Sequence, residues 1–560
     1  MALLDWITGP RLPKPLPKGA IDRPSHYPDW KALIEASQLW PLRRPGHRGR
    51  VLIATNIGGH APASMFEATM AAALSLRDAE VEIMLCDGIL TGCLKAELVG
   101  GVKPETLVDR KMPETLCPSC LNDGRAMFEP LGLKVRYLSE FVTDRDRKAA
   151  ARIAAEAPAA GMADFEYDGL KVGEQARAGA LRYYTRGDLD GEPQGETVLR
   201  RYLEAAILSA IAYRRLFDEQ HYDVALFHHG LYVPQGVVGE VCREKGVHVV
   251  NWFVAYREGC FILSHDDTYH HTLMDEPTEA WETMTFGDIQ RGEIETYLRS
   301  RWQGSRDWIG FHEKPSEDAR AWLDGLGVDP EKPLIGLLTN VVWDAQLHYP
   351  ANAFDSLIDW VIETIDAFAK RPDLQLVIRV HPAEIRGTAP SRQPMAEAVA
   401  ERRPSLPANV FIIGPADDVS TYAVMEHCDS VLIYGTKTGV ELTAMGIPVV
   451  VAGEAWIKGK GLTLDASSRA EYAEILASLP LKRRLDAATV ERAKKYAYHF
   501  FFRRMMPLKV MRRDASNLFF RPAIASMDDL ARGADAGLDR ICDGVLDAAP
   551  FIYPAEDLGL

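Results

Sequence analysis

The chain has 560 residues, a formal net charge of -15 and 47% hydrophobic residues, the profile of a soluble globular protein too long for one ordinary core. That acidity argues against nucleic acid as a partner, and no apolar run approaches the length of a membrane span. The start Met1-Ala-Leu-Leu-Asp-Trp6 lacks the basic and apolar regions of a signal peptide, so a cytoplasmic address is expected.

Residues 1–49, with "GPRLPKPLPKG" and "RRPGHRGR", are rich in proline and base and read as an extended lead-in. An N-terminal Rossmann-like domain is expected over 50–275. It opens with the strand and glycine loop "RVLIATNIGGH", the helix "ASMFEATMAAALSLRDA" and the strand "VEIMLCDG". A second unit follows at "YDVALFHHG", "PQGVVGEVCREKG" and "VHVVNWF". Residues 276–330 turn polar, aromatic and helical and predict an interdomain segment. Over 331–480 the strands "LIGLLTN", "LQLVIRV", "NVFIIG", "SVLIYG" and "PVVVAG" alternate with helices, as in a parallel sheet covered on both faces. The remainder, 481–560, is expected to be helical and to pack across both domains. Its stretch 482–513 mixes cations with the apolar "YAYHFFF", which points to a buried helix. The alternative is peripheral contact with an anionic inner membrane.

The sharpest chemistry lies in the C-terminal domain. "SVLIYGTKTGVELTAMG" runs from a strand into Gly435-Thr436-Lys437-Thr438-Gly439 and then a helix. Glycines admit a phosphate to the backbone and hydroxyls donate to it, while Glu441 has the chemistry to accept from a ribose diol. The plain alternative is a capped helix. "IRVHPAE" ends another strand on Arg379 and His381, so both segments are expected at neighbouring strand ends, cradling a nucleotide's phosphates. His381 there stabilises the departing charge.

The order "LLTNVVWDA", "IRVHPAE", "NVFIIGPADDVSTYAVMEHCDSVLIYGTKTGVELTAMGIPVVVAG", "GKGLT" resembles the capsule polysaccharide biosynthesis glycosyltransferases, related to bacterial polysialyltransferases and Kdo transferases. The resemblance covers roughly residues 334–475. It implies a two-domain GT-B fold that moves a sugar from a nucleotide-sugar donor to a surface polysaccharide or its lipid-linked acceptor. It also implies that His381, Thr436 and Thr438 contact the donor phosphate. The acidic-acidic-glycine element of sialyl-transferring members has no clear counterpart near the first glycine loop. Rival readings are a sugar-nucleotide epimerase, a glycerol-phosphate transferase and a non-catalytic scaffold of capsule assembly.

In the first half, Gly58 and Gly59 precede His60, and His228 and His229 end a later strand. They are candidates for acceptor binding (Gly58, Gly59, His228) and for the general base (His60, His229), against the alternative of packed or capping histidines. Four of the eight cysteines, Cys86, Cys93, Cys117 and Cys120, cluster in sequence. They allow a structural zinc or iron–sulfur cluster, although the transfer reaction itself requires no cofactor. Asp266, Asp267, His270 and His271 form a further candidate metal group, weighed against a solvated loop.

Overall fold

The computed structural model describes residues 12–558 apart from 303–305, 309, 311–314, 346–348, 350, 388 and 515–519. Residues 1–11 of the expected lead-in lie outside the described residues. The chain divides into two compact units, one of residues 1–184, 188–269 and 505–553, the other of 185–187, 270–504 and 554–560.

The first unit is built on seven strands. In chain order they are β1 (Arg50–Asn56), β2 (Glu80–Leu85), β3 (Lys134–Tyr137), then, after a small hairpin of β4 (Glu166–Tyr167) and β5 (Leu170–Lys171), β6 (Val224–His228), β7 (His248–Val254), β8 (Cys260–His265) and the late β15 (Met505–Pro507). Their order across the sheet is β15-β8-β7-β6-β1-β2-β3. The strands β3-β2-β1-β6-β7 pair in parallel, whereas β8 and β15 are antiparallel additions at one edge. The chain order reverses direction between β1 and β6, the place where an open sheet leaves a crevice at its carboxyl edge. The helix Ala61–Ser75 is alanine-rich and buried on nearly every face, so it sits inside the unit rather than on it.

The second unit holds β9 (Leu334–Leu338), β10 (Gln375–Arg379), β11 (Val410–Ile413), β12 (Ser430–Ile433), β13 (Val449–Val451) and β14 (Leu464–Asp465). All are parallel, in the order β11-β10-β9-β12-β13-β14. β9, β10 and β12 are buried along their whole length, which is why their sequences read as continuous apolar runs. Here the reversal falls between β9 and β12. Both units therefore have Rossmann-like sheets.

Three boundaries differ from expectation. The segment 276–330 groups with the second unit, because its helix Asp288–Arg301 packs on the helix Ala487–Tyr498, with Arg291 paired to Glu491 at 2.5 Å. The tail is not helical throughout. After the buried turn His499–Arg503 it supplies β15 to the first sheet and a hairpin of β16 (Met511–Arg513) and β17 (Phe520–Pro522). Phe500, Phe501 and Phe502 are buried, as expected for a packed segment. The lead-in is only partly extended: it carries the helix Trp30–Glu35 and buries Tyr27, Trp30 and Trp40. Among the described residues no helix is long and apolar enough to cross a membrane.

Candidate active site

In the second unit, the carboxyl ends of β10, β9 and β12 bring three short segments together. His381 and the Gly435–Gly439 loop do not end adjacent strands, because β9 runs between β10 and β12. The end of β9 joins them instead. Thr339 Oγ1 accepts from the His381 backbone N–H at 3.1 Å, and its neighbour Asn340 donates through Nδ2 to Gly435 O at 3.1 Å. Asn340 Oδ1 is buried with no hydrogen-bond partner among the described residues.

The His381 ring is oriented by its own turn. Pro382 starts the short helix Ala383–Arg386, and the Ala383 N–H donates to His381 Nδ1 at 3.0 Å. A neutral ring that accepts at Nδ1 carries its proton on Nε2, which makes that nitrogen a donor. At the loop, Thr436 Oγ1 accepts from Thr438 N at 3.3 Å and lies 3.2 Å from Thr438 Oγ1, so the two hydroxyls act as one polar pair.

Other residues of the predicted phosphate cradle serve the frame. Arg379 is 1% exposed, and its guanidinium donates to the carbonyls of Gly414, Asp417 and Val419, holding the loop after β11. Burial lowers it to about 10. Its charge is spent on backbone oxygens rather than offered to a phosphate. Glu441 is likewise occupied. Its carboxylate meets Arg301 Nε at 2.5 Å and Lys437 Nζ at 2.8 Å and accepts from the Tyr422 hydroxyl. Burial alone raises such a carboxyl, but Arg301 and Lys437 outweigh it and hold Glu441 below its usual range. A ribose would have to displace these partners. Gly439 is small for packing, since a Cβ there would meet Ile433 Cδ1 at 2.5 Å. Gly435 is tight for a similar reason, its Cβ position lying 3.2 Å from Glu454 O.

In the first unit the corresponding reversal gathers histidines. Gly58 lies against the helix Cys117–Phe128, where a Cβ would meet Gly124 Cα at 2.4 Å and Cys120 O at 2.8 Å. Gly59 is held nearly as close, its N–H donating to Cys120 Sγ at 3.2 Å. These glycines allow close helix–loop packing, Gly58 buried and Gly59 half-buried. His60 stands 5.2 Å from His228, ring to ring, and His228 is packed by Trp252 at 4.8 Å and Phe253 at 5.2 Å. Burial, then Lys95, Arg182 and His229, hold His60 down at about 4. Burial followed by its histidine neighbours lowers His228 further. Both rings stay neutral at pH 7, and His60 is then a weak base instead of one matched to the working pH. His229 sits at φ 69, half-buried between Tyr232 and Phe253.

A carboxylate that sequence reasoning missed lies beneath them. Glu67, fully buried, accepts from the His228 backbone N–H at 2.9 Å and from Trp252 Nε1 at 3.0 Å, and burial pushes it up to about 7. No local pattern marks it, because it lies in the alanine-rich helix Ala61–Ser75.

Residues 331–496 match the family described as capsule polysaccharide biosynthesis protein. That match covers less than a third of the chain. Solved structures with similarity to the chain include two Thermosulfurimonas dismutans KpsC enzymes. The beta Kdo 2,4 transferase has 13% identity and a TM-score of 0.32, covering 49% of this chain and 79% of that one. The beta Kdo 2,7 transferase has 13% identity and a TM-score of 0.31, covering 57% and 88%. A Methanocaldococcus jannaschii UDP-GlcNAc 2-epimerase has 11% identity and a TM-score of 0.26, covering 80% and 97%. No curated protein sequence matches the chain. At this level of likeness, substrate and reaction do not carry over from those proteins.

The capsule-family region thus contains His381, Thr436, Thr438, Thr339 and Asn340, the last two legible only as the end of "LLTN". The expected metal group fares differently. Asp266 and Asp267 fall in the first unit and His270 and His271 in the second. Among the described residues no three His, Cys, Asp or Glu side chains form a group that could hold a single metal ion, Asp266, Asp267, His270 and His271 included.

Proposed function

We propose that this chain is a glycosyltransferase that moves a sugar from a nucleotide-sugar donor to a capsular-type polysaccharide or its lipid-linked acceptor. The observation that carries the reading is the His381 ring at the carboxyl end of β10. Its Nδ1 is committed to Ala383 N–H, so a proton on Nε2 is aimed at the charge that builds on the departing nucleotide phosphate. Thr436 and Thr438 bind the same phosphates in ground and transition state, and the unpartnered Asn340 Oδ1 accepts from a donor hydroxyl. The capsule-family match over 331–496 supports a surface polysaccharide as acceptor. The first unit contributes acceptor contacts, with His229 as the base.

A thermal-shift screen against CMP, CDP, UDP and GDP, followed by assay of the matching sugar nucleotide with cell-envelope lipid extract, tests the reading. A ligand that binds only the folded state raises the melting point. Donor consumption that depends on acceptor is the expected result. An isomerised donor without acceptor would identify an epimerase instead, and tight binding without consumption would identify a scaffold.

A further inference from the structure

The four cysteines singled out in the sequence all line one cavity in the first unit, together with Met112 and Leu116. Cys86 and Cys93 come from the loop that follows β2, and Cys117 and Cys120 from the first turn of the helix Cys117–Phe128. None is in a disulfide. We propose that this cavity is the site of an iron–sulfur cluster ligated by Cys86, Cys93, Cys117 and Cys120.

Two features distinguish the arrangement from four ordinary core thiols. First, backbone N–H groups are aimed at two of the sulfurs. Gly88 N–H donates to Cys86 at 3.4 Å and Gly59 N–H to Cys120 at 3.2 Å. A neutral buried thiol is a weak acceptor that needs no such donors, whereas cluster-bound thiolates are stabilised and tuned by them. Second, all four cysteines line one space. A cluster, whose ligand sulfurs bind different irons, takes ligands that stand farther apart than those around one zinc.

On transfer of a preformed cluster, four S–H bonds break, the four thiolates replace the ligands that held its irons, and the four protons pass to those ligands or to solvent, with no change of oxidation state. Lys95 lines the same cavity and faces the resulting negative charge. The Gly59–Cys120 hydrogen bond ties the site to the loop before His60, so the cluster is a brace for that loop.

The test measures iron and acid-labile sulfide, independently of sugar transfer. Full-length protein purified without oxygen, as isolated and after reconstitution with ferric iron, an excess of dithiothreitol as reductant and sulfide, should hold iron and sulfide in equal amounts and show the charge-transfer absorbance of a cluster. Cys117→Ser and Cys120→Ser should each lose most of the iron. Cys428→Ser, a buried cysteine of the other unit, should keep it. The wild-type stoichiometry decides the matter even if a serine variant misfolds. Zinc without sulfide, iron without sulfide, or neither metal nor sulfide after reconstitution would each overturn the proposal.

Discussion

The two sheets share a strand order around their reversal point and differ in what they place there. At the β9/β12 end of the second unit stand three hydroxyls, an amide and an imidazole with a defined N–H, all polar groups that suit a phosphate ester. The β1/β6 end of the first unit gathers ring-packed histidines of low pKa above a buried glutamate, with four thiols behind the glycine loop. One topology therefore supplies two crevices of unlike chemistry, which is why function has to be argued from the residues at each.

The largest effect should come from the frame of the second crevice. Arg301 and Glu441 form a buried pair at 2.5 Å, joined by Lys437. Removing one member strands the other's charge, a loss of ~3–5 kcal/mol. Arg301→Ala should lower the melting point steeply, whereas Arg182→Ala in the first unit, a partly exposed partner of Glu97 at 2.8 Å, should cost little. Equal losses would remove the contrast.

The two units should respond alike to pH. Burial raises Glu67 in the first and Glu384 in the second to about 7, from 4.5. Between those values each carboxyl holds more proton folded than unfolded. The stabilisation is therefore complete below the unfolded value and is lost as pH rises through 7, by ~3 kcal/mol for fully buried Glu67. Melting curves from about pH 5 to pH 7.5 should fall for the wild type and flatten in Glu67→Gln, which keeps an acceptor for His228 N–H. An unchanged slope would show that Glu67 titrates normally.

Loss of the leaving-group contact is expected next. His381→Ala should lower turnover about a hundredfold, ~3 kcal/mol, with little change in donor affinity. His60→Ala should leave turnover within a few-fold, since its ring is a weak base at about 4. A folded His381→Ala enzyme of near-normal kcat would sink the role assigned to it.

The sequence made the second sheet legible strand by strand because β9, β10 and β12 are buried on both faces and their helices follow at short range. β3, with the charged Lys134 and Arg136, does not read as a strand, since it is an edge. β15 was hidden because its partner β8 lies some 240 positions earlier. The same distance effect explains the site errors. His381 was visible because strand, proline and ring are contiguous. The fate of Arg379 depends on carbonyls of the 414–419 loop, and that of Glu441 on Arg301 from another segment. Neither partner leaves a local trace.

The smallest effect separates binding from chemistry at the loop. Thr438 Oγ1 lies 3.2 Å from Thr436 Oγ1, and its backbone N–H donates to that hydroxyl, so the loop keeps its shape without the Thr438 side-chain oxygen. Valine preserves the volume and the β-branch while removing the hydroxyl. A hydroxyl that meets the donor phosphate equally before and during transfer contributes uniform binding, so Thr438→Val should raise the Michaelis constant for the donor about tenfold and leave kcat nearly unchanged. That is the opposite split from His381→Ala. Steady-state kinetics on both variants, with melting points to confirm folding, resolve it. A Thr438→Val enzyme that loses kcat at unchanged Michaelis constant would place the hydroxyl in the transition state and reverse the division of labour between loop and ring.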